Sequence, residues 1–183
     1  KAKIIIMSHL GRPKGQKIPE LSLLPVYKYF KKKLDTNTYF YMGDLDDKLK
    51  AKFSYQKNGE VILLENIRFF KEEIENDESF SKTLASLCDI YINDAFSCSH
   101  RKQASIHKIT KFVKHSFAGP LLKKELNAID FIIKNKKKPV TCIIGGSKVS
   151  TKINVIVNLI KKVDNIIIVG AMANNFIAYK DFD

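Results

Sequence analysis

The chain contains 183 residues, of which 45% are hydrophobic and 28% charged, a composition that excludes an extended disordered protein. The net charge of +13 favours anionic partners, such as nucleic acid, a membrane surface or phosphorylated metabolites, without choosing among them. No apolar run approaches the ~18 residues of a membrane-spanning helix, and the first residues do not form a signal peptide. Three widely spaced cysteines argue against a disulfide framework, so we expect a reducing, cytoplasmic compartment.

Short apolar segments of strand length recur along the chain, with stretches of helical spacing between them. The predicted strands are Ile4–Met7, Thr38–Met42, Val61–Leu64, Ile90–Ile92, Val140–Ile144 and Ile166–Val169. They mostly lack alternation, which is typical of parallel strands covered on both faces. The predicted helices are Leu23–Leu34, Ser79–Cys88 and Leu121–Ile133, and a further helical pattern ends at Ile160. This alternation predicts an α/β fold with a doubly wound, Rossmann-like parallel sheet.

The sequence also indicates how the chain is divided. It begins in what we expect to be a buried strand and stops without a closing element, so we expect a piece of a longer protein. The lysine-rich run at 134–138 precedes Pro139 and a new strand, which marks a possible boundary. Lysines 31–33 and 136–138 fall at the ends of predicted helices, where the helix dipole favours solvated cations. We predict domains at 1–120 and 139–183, joined by a helix and linker at 121–138.

Three predicted strands are followed by segments that supply arginine, two of them with a histidine. These segments are SHLGRPKG with His9, Arg12 and Lys14, ENIRF with Arg68, and NDAFSCSHR with His100 and Arg101. Ligands of open parallel sheets bind at the carboxyl ends of the strands, so these side chains are expected at one edge. A guanidinium group presents a planar fork of donors that suits carboxylate and phosphate. The pattern predicts a pocket for a small, multiply charged anion, although basic surface loops are common in so basic a chain.

A second candidate site follows the strand at 140–144, where the sequence reads GGSKVSTK before a helical pattern. Gly145 and Gly146 would let the backbone approach a phosphate, and a helix N-terminus favours anions. We expect Lys148 and Lys152, four residues apart, on one face of the first helical turns. The alternative is a simple strand-to-helix turn, since the spacing is not that of a Walker loop. Gly170 ends the next strand at the same predicted edge.

The other histidines and the cysteines do not indicate a functional site. His107 and His115 lie in what we predict to be a basic helical stretch, and we assign them no role. No cluster of cysteine and histidine has the spacing of metal ligands, so we expect no metal site built by these residues.

Taken together, five segments resemble the phosphoglycerate kinase family. The segments SHLGRPKG, LLENIRF, YINDAFSCSHR, AGPLLKKEL and GGSKVSTK occur in that family's order and at about its spacing, across essentially the whole chain. The resemblance implies two doubly wound domains, one for phosphoglycerate and one for nucleotide, joined by a helix and closed by a hinge. It implies reversible phosphoryl transfer between 1,3-bisphosphoglycerate and ADP, giving 3-phosphoglycerate and ATP, with Mg²⁺ accompanying the nucleotide.

The resemblance also implies roles for individual residues. His9, Leu10, Gly11 and Arg12 would line the phosphoglycerate site, and Arg68 and Arg101 would complete it. Lys148 would be the catalytic residue that reaches the transferring phosphoryl group. Lys152 would hold nucleotide phosphates, and Gly145, Gly146 and Gly170 would border the nucleotide. The implied partners are these small molecules, with neither nucleic acid nor a membrane, and the full-length protein would be a monomer.

Several features depart from the family pattern. The family's first strand and loop, with its Asp, Asn and catalytic Arg, have no counterpart here. The Gly-rich loop with the Mg²⁺-binding Asp, and the acidic residue at the ribose, are also missing, so we expect the chain alone to lack turnover. Serines stand at Ser147 and Ser150 where the family usually has Ala. Ser97 and Ala171 stand where it usually has Gly.

Two functions of other classes remain open from the residues alone. A basic α/β module that binds nucleic acid would interleave aromatic side chains with its basic loops, and Phe69, Phe70 and Phe96 lie nearby. No RNA-binding motif or basic helix accompanies them. A different phosphotransferase, such as a carboxylate or acetyl kinase, would share phosphate-binding loops but lack the ordered SHLGR, ENIRF and SHR segments.

Overall fold

The computed structural model describes residues 1–46, 48–134 and 137–179, without the side chain of residue 133. It divides into two compact units, Lys1–Leu126 and Asn127–Asp183. The predicted domains at 1–120 and 139–183, and the predicted helix and linker at 121–138, stay predictions. Residues 135, 136 and 180–183, which belong to the predicted linker and second domain, lie outside the described residues.

The first unit is built on a parallel three-stranded sheet. Its strands are β1 (Ile4–Ile6), β2 (Thr38–Tyr41) and β3 (Val61–Leu64), in the order β1-β3-β2. Ile4 pairs with Val61 on one side of β3, and Thr38 pairs with Val61 on the other. All four residues of β3 are buried, as its uninterrupted apolar sequence predicts, whereas the flanking strands are only partly covered.

A second, two-stranded parallel sheet in the first unit contains β4 (Ile90–Asn93) and β5 (His115–Ala118). In the described structure, backbone hydrogen bonds do not join this pair to the three-stranded sheet. Side chains connect the two sheets instead, because Tyr91 of β4 packs in the same hydrophobic cluster as Ile62 and Leu64 of β3.

Helices cover this core. They are α1 (Leu24–Lys33), α2 (Leu49–Lys52), α3 (Lys71–Ile74) and α4 (Glu78–Ala85). Proline in the first turn and lysines 31–33 in the last turn suit the two ends of α1. The Asp77 side chain caps α4 by accepting the Phe80 N–H at 2.7 Å. Phe80 and Leu84 of this helix are buried in the same core, at the spacing that predicted the helix.

One sequence prediction in the first unit was wrong. The segment around His107 and His115, which we expected to be helical, contains a short 3₁₀ helix, Lys108–Lys111, and then β5. The four residues HSFA of β5 are all exposed, so they lack the apolar run that identified the other strands.

The second unit has the same parallel α/β construction. The division between the units falls inside α5 (Pro120–Lys134), which is followed by β6 (Thr141–Gly145), α6 (Ile153–Ile160), β7 (Asn165–Val169) and α7 (Ala171–Tyr179). Strands β6 and β7 pair in parallel, with Thr141 opposite Asn165. A small core of Ile144, Ile156 and Met172 lies between this sheet and its helices.

Candidate functional site

A buried asparagine organises the carboxyl end of the first sheet. Asn66 follows β3, and its side chain is fully buried. Its Nδ2 group donates to the carbonyl oxygens of Leu10 at 2.8 Å and Leu21 at 2.9 Å, and its Oδ1 accepts the Arg68 N–H at 3.0 Å. The amide therefore fixes the loop after β1 against the loop after β3, with each of its hydrogen-bonding groups satisfied in the interior.

Arg68 lies at the centre of this edge, in the 3₁₀ helix Ile67–Phe69, and is only 8% exposed. Its Nη1 donates to the Gly11 carbonyl at 2.9 Å, and its Nη2 donates to Gln103 Oε1 at 3.4 Å. Its own carbonyl accepts the Gly15 N–H at 3.1 Å. The guanidinium thus bridges the loop after β1 to the segment after β4.

The electrostatic surroundings of Arg68 are unfavourable to its own charge. Burial and then the charge of Arg101 lower its pKa from the usual value, and Arg12 adds to the effect. Glu73 partly opposes this shift. Throughout the described ranges, no carboxylate oxygen lies within 4.0 Å of an arginine guanidinium. A buried cation beside two like charges and without an ion-pair partner suits an anionic ligand.

His9 shares this environment. It is half-buried, and burial is the main reason that its pKa is lowered from the usual 6.5, followed by the charges of Arg68 and Arg101. The imidazole is therefore predominantly neutral at neutral pH, which leaves one ring nitrogen as a donor and the other as an acceptor. An anion bound among these groups would reverse the shift by favouring the protonated ring.

Arg68 thus links four predicted side chains, because His9 experiences the charges of Arg68 and Arg101, and Arg68 experiences those of Arg101 and Arg12. Arg12 and Arg101 are exposed, so their guanidinium groups are accessible beside the buried Arg68. Leu10 and Gly11 are also exposed, and they contribute backbone carbonyls rather than side chains to the contacts.

Sequence analysis missed two residues that hold this arrangement, Asn66 and Gln103. Asn66 carries a recognisable signal, because an asparagine two residues before Arg68 can accept a backbone N–H and start a turn. Gln103 carries none, since its contact with Arg68 depends on folding across 35 residues of chain.

Two clefts in the first unit are lined by residues other than these. One, of about 300 Å³, is lined by Tyr39, Lys52, Phe53, Tyr55, Gln56, Glu60 and Ile62. The other, of about 360 Å³, is lined by Lys17, Ile18, Pro19, Ser22, Leu24, Met42, Glu65, Phe69 and Phe70. Neither contains a predicted site residue.

In the second unit, the predicted glycine loop follows β6. A Cβ added to Gly146 would lie 3.3 Å from Lys152 Cε, so the lysine side chain passes directly over this glycine. A Cβ at Gly145 would meet Val169 Cγ2 at 3.0 Å. A Cβ at Gly170 would meet nothing within 4 Å, so the space beside that residue is open.

The expected placement of Lys148 and Lys152 on one helix face was wrong. Lys148 is in an extended conformation and precedes the 3₁₀ helix Val149–Thr151, while Lys152 separates that helix from α6. The four-residue spacing therefore does not give the neighbouring positions of an α-helix. Both lysines are nevertheless exposed beside the loop.

The described residues contain no group of three or more His, Cys, Asp or Glu side chains arranged to hold a metal ion. The donors beside the glycine loop are lysines, which suit phosphate rather than a cation. Over the same ranges, the helices are too short or too polar to cross a bilayer.

Comparison with known proteins gives a consistent family assignment. The family model for phosphoglycerate kinase matches residues 1–183. Curated relatives include the phosphoglycerate kinases of Buchnera aphidicola subsp. Acyrthosiphon pisum (strain 5A), 48% identical over 179 residues, and Wolbachia pipientis subsp. Culex pipiens (strain wPip), 47% identical over 178. These alignments cover 97% of this chain but 45% and 44% of the relatives, so the chain spans less than half their length.

Comparison with solved structures gives the same family assignment. Phosphoglycerate kinase from Coxiella burnetii superposes with a TM-score of 0.81 at 40% identity, covering 98% of this chain and 45% of that one. The Pyrococcus horikoshii OT3 phosphoglycerate kinase gives 0.78 at 27% identity, covering 100% and 46%. The α/β fold predicted from the sequence is thereby confirmed.

Proposed function

The chain belongs to the phosphoglycerate kinase family, and from that premise we propose that the protein transfers a phosphoryl group between 1,3-bisphosphoglycerate and ADP, giving 3-phosphoglycerate and ATP in glycolysis. The observation that carries the proposal is the buried Arg68, which experiences the charges of Arg12 and Arg101 and, among the described residues, has no carboxylate oxygen within 4.0 Å. A small acid with a carboxylate and a phosphate supplies the negative charges that this cluster lacks.

The first unit binds the phosphoglycerate in this proposal. Arg12 and Arg101 present exposed guanidinium groups that can each form paired hydrogen bonds to an oxyanion. Arg68 stays fixed by Gly11 and Gln103 and contributes its charge from a site of reduced solvation. His9, neutral before binding, orients the acid through a ring nitrogen, and Leu10 and Gly11 border it through the backbone.

The second unit binds the nucleotide. Lys152, which passes over Gly146, holds nucleotide phosphates against the glycine loop, and Lys148 offsets charge on the transferring phosphoryl oxygens. Gly145 and Gly170 border the nucleotide, which makes the protein ATP-binding. Positioning and charge neutralisation do most of the work in phosphoryl transfer, so lysines and arginines with few acid–base groups suit the reaction.

Magnesium would accompany the nucleotide and neutralise phosphate charge when bound. The described residues do not fit a magnesium site by themselves, so we assign no step to the ion. We also propose a cytoplasmic location, which the free cysteines Cys88, Cys98 and Cys142 support, and a monomeric full-length protein.

Ligand-induced stabilisation of the two units tests the proposal. We expect 3-phosphoglycerate to raise the melting temperature of the chain, while acetate and a mixed-sequence oligonucleotide do not. R12A should reduce the effect, whereas K32A, which removes an exposed cation from the far end of α1, should not. ADP should stabilise the second unit, and K152A should weaken that effect more than K161A. A larger shift with the oligonucleotide than with 3-phosphoglycerate would refute the proposal.

A further inference from the structure

Glu73 is an acidic residue with no place in the mechanism above, yet it is buried to 1% exposure. It lies in α3, and both of its carboxylate oxygens accept hydrogen bonds from the same residue. Oε2 accepts the Ser105 N–H at 2.7 Å, and Oε1 accepts the Ser105 hydroxyl at 2.7 Å. The Glu73 carbonyl also accepts the Ala104 N–H at 3.0 Å. Glu73 therefore accepts three hydrogen bonds from two successive residues, Ala104 and Ser105.

The segment held in this way carries side chains of the arginine cluster. Arg101 lies four residues before Ser105, and Gln103, which accepts from Arg68, lies two residues before it. Ala104 is fully buried, and the Tyr91 hydroxyl donates to the Ser105 carbonyl at 2.7 Å. The backbone at 104–105 is thus fixed from α3 on one side and from β4 on the other.

We propose that Glu73 is a positioning residue for the phosphoglycerate site: by holding Ser105, it sets where Gln103 and Arg101 lie relative to Arg68. This inference rests on the proposed function for its ligand. Glu73 does not touch the ligand, since its carboxylate is enclosed and both oxygens are occupied by Ser105.

The negative charge of Glu73 and its hydrogen bonds to Ser105 have opposite effects on anion binding. Glu73 favours the charged form of Arg68, and burial, followed by the charge of Glu73, raises the pKa of Tyr91. A negative charge near the cluster weakens the potential that attracts an anion. Removing that charge would therefore tighten anion binding if charge were its only influence, whereas loss of positioning would weaken binding. The sign of the change separates the two roles.

The test compares E73Q, which keeps the shape but removes the charge and one acceptor, with S105A, which keeps the charge and removes the hydroxyl donor. E78Q is the matched control, because Glu78 is an exposed glutamate on α4. We expect E73Q and S105A each to weaken 3-phosphoglycerate binding by about tenfold, with E78Q unchanged, when binding is measured by calorimetry at pH 8, where the Glu73 carboxyl is mostly ionised. Displacement by 1 Å can cost ~100-fold. Tighter binding by E73Q, or unchanged binding by both variants, would overturn the proposal.

A second readout does not depend on the ligand. The ¹⁵N–¹H signal of Arg68 Nε, identified by its loss in R68K, should shift in E73Q and S105A but not in E78Q. If the wild-type chain fails to bind 3-phosphoglycerate, the proposed function fails, and this signal alone decides whether Glu73 positions Arg68. An Arg68 signal that stays in place in both variants overturns the positioning role whatever the ligand.

Discussion

The guanidinium of Arg68 donates to the backbone carbonyl of Gly11 across 2.9 Å, and this contact joins two loops that are 57 residues apart in the chain. The carbonyl neutralises none of the positive charge, so Arg68 is held in position while its charge stays available. Fixed geometry with unmatched charge is what an anion-binding arginine requires.

Replacing Arg68 should affect the stability of the chain and its binding of 3-phosphoglycerate differently. We expect R68M to change the free energy of unfolding of the ligand-free chain by no more than about 1 kcal/mol, because removing a buried charge offsets the loss of its hydrogen bonds to Gly11 and Gln103. The same variant should lose stabilisation by 3-phosphoglycerate. Urea unfolding with and without ligand measures both effects, and K32A serves as the control. A ligand response that persists in R68M would contradict the assignment.

His9 should report on the charge around it. We expect its pKa, measured by NMR titration of the ring protons, to lie below 6.5 because burial and then Arg68 and Arg101 disfavour the charged ring. R101A should raise that pKa, and saturating 3-phosphoglycerate should raise it further. Because the folded-state pKa is depressed, the contribution of His9 to stability is lost as the pH falls below 6.5. A His9 pKa unaffected by R101A would show that the two side chains are not close.

Glu73 should make stability fall as the pH rises. Burial raises the pKa of its carboxyl from 4.5 to about 7, despite the hydrogen bonds from Ser105. Between those values the folded state binds more protons than the unfolded state, so the first unit should lose roughly 2–3 kcal/mol between pH 5 and pH 8 through this group. E73Q cannot ionise and should lose that part of the pH dependence. Parallel stability profiles for wild type and E73Q would contradict the prediction.

Gly11 should be needed for both stability and binding. Its φ of +64° lies in the left-handed region, and an added Cβ would lie 2.7 Å from Leu21 Cδ2. We expect G11A to cost about 1–2 kcal/mol for the backbone conformation alone, and to weaken 3-phosphoglycerate binding by moving the carbonyl that holds Arg68. G59A is the control, because Gly59 also has a positive φ but lies before β3, at the opposite end of the sheet. The stability of G59A should fall, while its binding of 3-phosphoglycerate is retained.

The sequence predicted the strands well because their apolar runs are short and separate, although only β3 is buried along its whole length. Each predicted strand lies within one residue of the observed one, and α1 and α5 are equally close. β5 was missed because an exposed strand such as HSFA has no apolar run. The helix Ile153–Ile160 follows GGSKVSTK, as the sequence predicted, but Lys148 is not in its first turns, because a 3₁₀ turn without a distinctive sequence pattern intervenes.

For the site, residue type and position after a strand pointed to the arginines, whose role in binding stays a prediction. β1 and β3 place Arg12 and Arg68 after the carboxyl ends of one parallel sheet, whereas Arg101 follows β4 of a separate sheet. The residues that hold the arginines could not be predicted in the same way. Gln103 and Glu73 act through contacts 35 and 32 residues away along the chain, and neither has an unusual local sequence. Their roles follow from tertiary packing.

The separation of Arg68 from its two partners, 57 residues to Gly11 and 35 to Gln103, has a kinetic consequence. Contacts between distant parts of a chain form late, after the entropy of closing the intervening loops has been overcome. Local helices such as α4 can form while this arginine is still solvated and free to move. Phosphoglycerate-dependent protection in a refolding experiment would therefore mark completion of the first unit, rather than its early collapse.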